Sequence, residues 1–177
     1  MRKLPKEAGR AADVWRSPIG WVGVVAGGAG LIEVHSHPDS SELRQRLLER
    51  YPEALMAREG FVGQAIGQLE EYFLGSRQHF DLPLDFRGLS PFSVTTLRNL
   101  CDVPFGQTLT YGELAARCGS AHGARAIGRI MAANPFPIVI PCHRVVGAGG
   151  KLRGYSGGEG VPTKEWLLRF EAQNATD

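Results

Sequence analysis

Apolar and polar positions alternate along the early chain and later fall at helical spacing, so strands are predicted before helices. Trp15, the turn tetrapeptide Ser17-Pro18-Ile19-Gly20 and the run Trp21 to Val25 read as a hairpin. Gly27-Gly28-Ala29-Gly30 turns the chain into a further strand, Leu31 to His35. Ser40 or Ser41 can cap a charged helix through Arg50. Phe61, Ile66, Leu69, Tyr72 and Phe73 then stand near helical spacing, with Gly75 as a stop. Residues 1–12 read as a loose tail. The stretch Asp81 to Pro91, with its two prolines and one glycine, reads as a linker.

Beyond the linker the pattern is mostly helical. Val94 to Leu100 is apolar enough for a helix. Thr110-Tyr111-Gly112-Glu113 has the spacing of a capping box and opens a helix through Cys118, with Gly119 as its C′ residue. After Ser120 to Gly123 comes Ala124 to Ala133, halted by Asn134-Pro135, which makes a helix-turn-helix. The leading end of that second helix (Gly123, Ala124, Ala126, Gly128) is nearly bare of side chains apart from Arg125. Such a face suits either tight helix packing or close approach of backbone to a DNA groove with one arginine projecting. Ile138-Val139-Ile140 predicts a buried strand that Pro141 ends, leaving Cys142 and His143 where the backbone turns. The expected fold is α+β in two domains. Residues 1–88 should form a small N-terminal antiparallel sheet with helices, and 89–177 a mostly helical C-terminal domain containing the helix-turn-helix.

Composition narrows this picture. At 43% hydrophobic and 21% charged, the 177-residue chain is that of a globular protein. No stretch approaches the ~18 to 20 apolar residues of a membrane helix, and the basic start is followed by no signal-peptide core. A soluble cytoplasmic protein is expected, nucleoid-associated if bacterial. Cys101, Cys118 and Cys142 include no Cys-x-x-Cys pair, which favours free thiols and argues against a cysteine-built zinc site. His35 and His37 are spaced to share a strand face, but no further ligand nearby completes a site, so no metal is expected. Net charge is only +2, yet no Asp or Glu falls between Leu114 and Gly158, where Arg117, Arg125, Arg129, Arg144, Lys151 and Arg153 lie. That zone is either a solvated face or a surface for a polyanion such as nucleic acid.

Inside it sits the chemistry. Cys142 stands at the edge of an apolar run beside two potentially cationic side chains, His143 and Arg144, and such neighbours are expected to lower a thiol's pKa and activate it. The glycine-dense stretch Gly147 to Gly160 is no phosphate loop, because Gly150-Lys151 is followed by Leu152 and Val145 stands where a glycine should be. A flexible lip over a pocket fits it better.

Pro141-Cys142-His143-Arg144-Val145 resembles the active-site signature of the O6-alkylguanine-DNA alkyltransferases (methylated-DNA–protein-cysteine methyltransferases). The resemblance extends in order through Tyr111, Arg125, Asn134-Pro135, Tyr155-Ser156-Gly157-Gly158 and Lys164-Glu165-Trp166-Leu167-Leu168 to Glu171. It covers about residues 89 to 171 and is weak over 13 to 88, where Ser17-Pro18-Ile19-Gly20 is its chief trace. It implies a DNA repair protein that flips O6-alkylguanine out of duplex DNA and moves the alkyl group irreversibly to Cys142, once per molecule. Attack on an unactivated alkyl carbon needs a soft nucleophile, which a thiolate is and serine at neutral pH is not.

By the same resemblance, His143 takes the thiol proton through a bridging water and Glu171 holds the imidazole in its basic tautomer. The Tyr111 hydroxyl serves the guanine N3, the Ser156 backbone N–H supports O6, and Asn134 braces the cysteine turn. Met131, Tyr155 and the backbone carbonyls of Cys142 and Val145 form the base pocket. Arg125 fills the vacated stack, while Gly123, Ala124, Ala126 and Gly128 let the helix approach the minor groove. The implied partner is double-stranded DNA bearing the lesion, met by a monomer with no cofactor, no metal and no membrane. Two departures stand out: Ser93-Val94-Thr95-Thr96-Leu97 replaces the family's usual residues after Phe92, and Lys151 and Arg153 add charge to the pocket lip. Competing readings are a damage sensor that flips the base without transfer, whose relatives lack the cysteine, and a cysteine hydrolase that would leave the acid-free zone unexplained.

Overall fold

The structure is a computed structural model, and it describes residues 9–175. Two compact units meet in sequence between Gly88 and Leu89. The first opens with a meander: β1 (Ala11–Ser17), β2 (Gly20–Gly27) and β3 (Gly30–His37), paired antiparallel, with Val14 opposite Gly23 and Val24 opposite Val34. A two-residue β4 (Leu55–Met56) joins the other edge of β1 in parallel, so the expected antiparallel sheet has one short parallel member. The tail expected over 1–12 is already strand from Ala11, and residues 1–8 lie outside the described residues.

Two helices bury their apolar stripes on this sheet. In α1 (Ser40–Arg50), Leu43 and Leu47 pack with Val14, Val25, Ile32 and Tyr51. Its cap is Asp39, one residue earlier than the serines expected, because the Asp39 carboxylate accepts the Glu42 N–H at 2.8 Å. The second helix, α2 (Gly60–Phe73), presents Val62, Ile66, Leu69 and Tyr72, all fully buried.

The expected linker is not loose. Leu31 donates its N–H to the Pro83 carbonyl and accepts from the Asp85 N–H, both at 2.8 Å, so Pro83 to Asp85 lies as a short extension of the sheet. His35 and His37, which share a strand face, each meet a carboxylate: His35 Nε2 lies 2.7 Å from Glu33 and His37 Nε2 3.5 Å from Glu42. Among the described residues no cluster of three or more His, Cys, Asp or Glu is placed to hold a metal, and no helix is long and apolar enough to cross a membrane.

The second unit is mostly helical. Ser90 caps α3 (Pro91–Cys101). The Thr110 hydroxyl accepts the Glu113 N–H at 3.1 Å while Glu113 accepts the Thr110 N–H at 2.6 Å, so the capping box forms and opens α4 (Tyr111–Arg117). Gly119 follows at φ 70° and starts the turn into α5 (Ala124–Ala132). A parallel pair, β5 (Leu109–Thr110) with β6 (Val145–Val146), and a long α6 (Val161–Asn174) complete the unit.

Gly30 is the residue on which the Pro83 junction closes. It stands at φ 124°, and a Cβ there would come within 2.2 Å of the Pro83 carbonyl oxygen. Gly30→Ala should therefore lower the unfolding free energy by about 2 kcal/mol or more. Denaturant titration measures this; an unchanged midpoint would show that Pro83 moves aside freely.

Candidate active site

Three prolines, Pro135, Pro137 and Pro141, withhold ladder donors on both sides of Ile138-Val139-Ile140. The strand expected there is instead a buried turn, in which Ile138 takes φ 74° as the one non-glycine residue at positive φ among those described. The β-branched run correctly signals burial but not extension. Asn134 holds the turn closed: its side-chain amide donates to the Ile140 carbonyl and accepts the Phe136 N–H, both at 3.0 Å. The Cys142 N–H then donates to the Ile140 carbonyl at 2.8 Å and the chain enters a single 3-10 turn, Cys142–Arg144.

Strand β6 follows directly and pairs with β5, Leu109 opposite Val145 and Thr110 opposite Val146. Since Tyr111 begins α4 immediately after β5, this two-residue ladder brings Tyr111 beside the cysteine turn. Both line an open cavity of about 710 Å³, together with Ala124, Arg125, Gly128, Met131, Ala132, Arg153, Gly154, Tyr155 and Ser156. Helix α5 is one wall, with Ile127 and Met131 turned inward and Arg125 and Arg129 exposed.

Behind the thiol lies a buried ionic cluster. The Glu171 carboxylate, on α6, accepts from His143 Nε2 at 2.7 Å, from Arg144 Nε at 2.8 Å and Nη2 at 2.9 Å, and from the Gly106 N–H at 3.1 Å. Arg144 also donates to the Val103 carbonyl at 2.6 Å. His143 and Glu171 are both 0% exposed and Arg144 is 4% exposed, so bulk water screens this cluster little. Burial alone would raise the Glu171 pKa, but the hydrogen bonds from His143 and Arg144 and the Arg144 charge outweigh it and hold the carboxyl well below the usual carboxylate range. For His143, burial outweighs the Glu171 carboxylate, with Arg144 and Lys164 adding to the loss, and the imidazole sits below its ordinary value. It is therefore neutral at neutral pH, with its proton on Nε2 toward Glu171 and its Nδ1 lone pair without a protein partner.

The thiol departs from expectation. Burial pushes the Cys142 pKa up, and the Asn134 hydrogen bond and the Lys164 charge recover only part of the shift. Arg144 does not activate it, because its guanidinium is committed to Glu171 and Val103. Cys142 is 3% exposed and rests as a thiol.

Several expected residues lie away from the cavity lining. Gly123 serves the turn before α5, where a Cβ would come within 2.4 Å of Ser120 Oγ. Ala126 does not line the cavity, and Val145 is buried with its carbonyl accepting from Lys164 Nζ. Two functional-looking residues had no assigned role from sequence. In the sequence Arg144 stands out only as a charge beside Cys142. Lys164 is 0% exposed with its Nζ 5.8 Å from the Tyr111 ring centroid, and the signal that could have found it is a lysine in the core register of α6 beside Leu167 and Glu171.

Helix-turn-helix and thiol share one cavity, which defines a group-transfer site built into a nucleic-acid-binding module. Comparison with known proteins specifies the class. Residues 91–173 match the model of the 6-O-methylguanine DNA methyltransferase DNA-binding domain, and residues 13–86 that of the ribonuclease-like domain of the same proteins. A methylated-DNA–protein-cysteine methyltransferase of Methanosarcina barkeri is 37% identical over 162 residues, 92% of this chain and 97% of its own. Another, from Mycolicibacterium paratuberculosis, is 45% identical over 115 residues, 65% of this chain and 67% of its own. Among solved structures, the Mycobacterium tuberculosis OGT in complex with DNA superposes with a TM-score of 0.79 at 34% identity, covering 93% of this chain and 94% of that one. The chain belongs to the 6-O-methylguanine DNA methyltransferase family.

Removing the Glu171 charge alone would strand the buried Arg144 cation. Glu171→Gln should destabilise the second unit by about 3 to 5 kcal/mol, and the double variant Glu171→Gln/Arg144→Met by less than the sum of the two single changes. Chemical denaturation of the four proteins measures the coupling; strict additivity would mean that the pair is not a unit.

Proposed function

We propose that this chain repairs double-stranded DNA by taking the alkyl group from O6 of guanine onto Cys142, once per molecule and as a monomer. One observation carries the reading: the Cys142 thiol borders a cavity with room for a base, with the His143–Glu171 pair next to it and a helix-turn-helix helix as the cavity wall. The cavity volume falls within the ~300 to 1,000 Å³ typical of small-ligand sites.

The lesion cannot be reached inside the stack, so the nucleotide rotates out and enters between Tyr111, Met131, Tyr155 and Ser156. Helix α5 lies in the minor groove, where Ala124 and Gly128 allow close approach and Arg125 occupies the vacated stack. The Sγ proton passes through a bridging water to His143 Nδ1, and the imidazolium so formed is balanced by Glu171. Sulfur then attacks the alkyl carbon, the bond to O6 breaks, and its electron pair returns to the guanine. The Tyr111 hydroxyl donates to N3 as that charge develops, and the Ser156 N–H supports O6. Burial and the nearby Cys142 push the Tyr111 pKa up, more than Arg153 draws it down, so the hydroxyl stays protonated and able to donate. A thioether offers no leaving group for return, so turnover stops there.

Incubation with duplex containing O6-methylguanine should add one methyl group to Cys142, read by intact mass, and Cys142→Ala should gain none. Absence of a mass gain in the wild type, with the lesion left in place, rejects the reading. His143→Gln should slow single-turnover transfer by roughly 100- to 10,000-fold. Because the His143 pKa lies below the ordinary ~6.5, the base stays neutral as pH falls through that value. The wild-type rate should hold level there and drop only at lower pH; a half-loss at or above that point would contradict the assigned base. Arg125→Ala should slow transfer from duplex by about tenfold, more than transfer from a free alkylated guanine base that needs no flipping.

A further inference from the structure

We propose that Arg153 makes this cavity prefer O6-alkyl groups that end in a carboxylate, carboxymethyl being the simplest, over neutral groups of the same size. The inference rests on the alkyl-transfer reading above and names a substrate class within it. Arg153 lines the same cavity as Cys142, Tyr111 and Tyr155, while Lys151, two residues earlier on the lip, does not. Its side chain is steered at the root: the stem crosses Gly147 so closely that a Cβ there would lie 3.3 Å from Arg153 Cγ and 3.5 Å from Nε. Its carbonyl accepts from the buried Lys164 Nζ at 3.3 Å, which anchors the backbone of the lip at this residue.

The guanidinium makes no ion pair with a carboxylate among the described residues, and the nearest acid in sequence is Glu159, six positions on. Its field reaches the reaction site, where it draws the Tyr111 pKa down against burial. Transfer of a methyl group uses the thiol, the imidazole–carboxylate pair and the tyrosine hydroxyl, and gives an exposed cation lining the cavity nothing to pair with. A carboxylate on the transferred group does, because arginine meets it through two parallel N–H bonds.

The step balances without a further reactant. Sulfur bonds to the methylene carbon of O6–CH2–COO−, the carbon–O6 bond breaks, the thiol proton ends on the guanine, and Cys142 becomes S-carboxymethylcysteine.

Single-turnover rates should be measured on three duplexes carrying O6-carboxymethylguanine, its neutral carbamoylmethyl counterpart and O6-methylguanine, with wild type, Arg153→Gln and Arg153→Lys. Any general help that Arg153 gives to the thiolate or the DNA backbone cancels in the carboxymethyl-to-carbamoylmethyl ratio. Arg153→Gln should lower that ratio by about tenfold, with Arg153→Lys between the two, as a partly exposed charge-assisted hydrogen bond would. Equal loss on all three lesions, with a shallower salt dependence, would assign Arg153 to a phosphate and overturn the proposal. So would an unshifted ratio in a variant that still transfers methyl. Failure of wild type on every lesion would instead reject the alkyl-transfer reading, and this inference with it.

Discussion

A carboxylate buried to 0% exposure is tolerable only when its charge is met from several sides, and in this protein Glu171 is that group. Its four donors come from two separate places, the Cys142–Arg144 turn and Gly106 in the loop after α3, and Arg144 is in turn tied down by donating to the Val103 carbonyl. None of them can shift without leaving a buried charge or dipole unpaired, so the turn that presents the thiol is fixed from behind. The balance of charge matters as much as the geometry. Arg144 supplies the full counter-charge, so His143 is not needed as a cation and can stay neutral. That neutrality leaves Nδ1 a free lone pair, which is what a base requires.

The front of the same turn is held by a single side chain. Asn134 closes α5 and at the same time spans the proline-rich loop to the Ile140 carbonyl, two residues before the thiol. The helix that walls the cavity and the loop that carries the nucleophile are thereby one rigid piece. On the proposed reading this couples DNA contact to chemistry at short range: placing α5 in a groove places the thiol.

The local elements were legible where their signals are local. The capping box at Thr110, the halt at Asn134-Pro135 and the two helices between them follow from residues a few positions apart. So do the hairpin and α2. What failed was inference from a residue's neighbours in sequence about its environment in space. Ile138 to Ile140 carries the composition of a strand, but three flanking prolines and one asparagine decide its backbone. His143 and Arg144 look like cations that would lower the Cys142 pKa, yet one is neutral and the other is committed to a residue 27 positions away. Lys164 and the four-donor cluster depend on α6 packing against the turn, a contact that no periodicity encodes. The order of motifs located the site; its electrostatics came only with the fold.

The reversed expectation about the thiol bears on how the site chooses its substrate. A cysteine with a depressed pKa is thiolate at rest and reacts with any accessible electrophile, but its sulfur is correspondingly less nucleophilic. Each unit of thiol pKa above ambient pH costs about tenfold in resting thiolate and returns only about threefold in nucleophilicity, so a raised thiol serves the reaction only where a base takes its proton. Burial of Cys142 gives a high-pKa thiol whose anion, once formed, is the stronger nucleophile, at the cost of needing a base at the moment of reaction. His143 on Glu171 meets that need without carrying charge beforehand. The two opposite shifts belong together: the raised thiol withholds reactivity from solvent electrophiles, and the lowered imidazole keeps a proton acceptor ready behind it. A site tuned the other way would hold a resting thiolate and react sooner with whatever electrophile reached it.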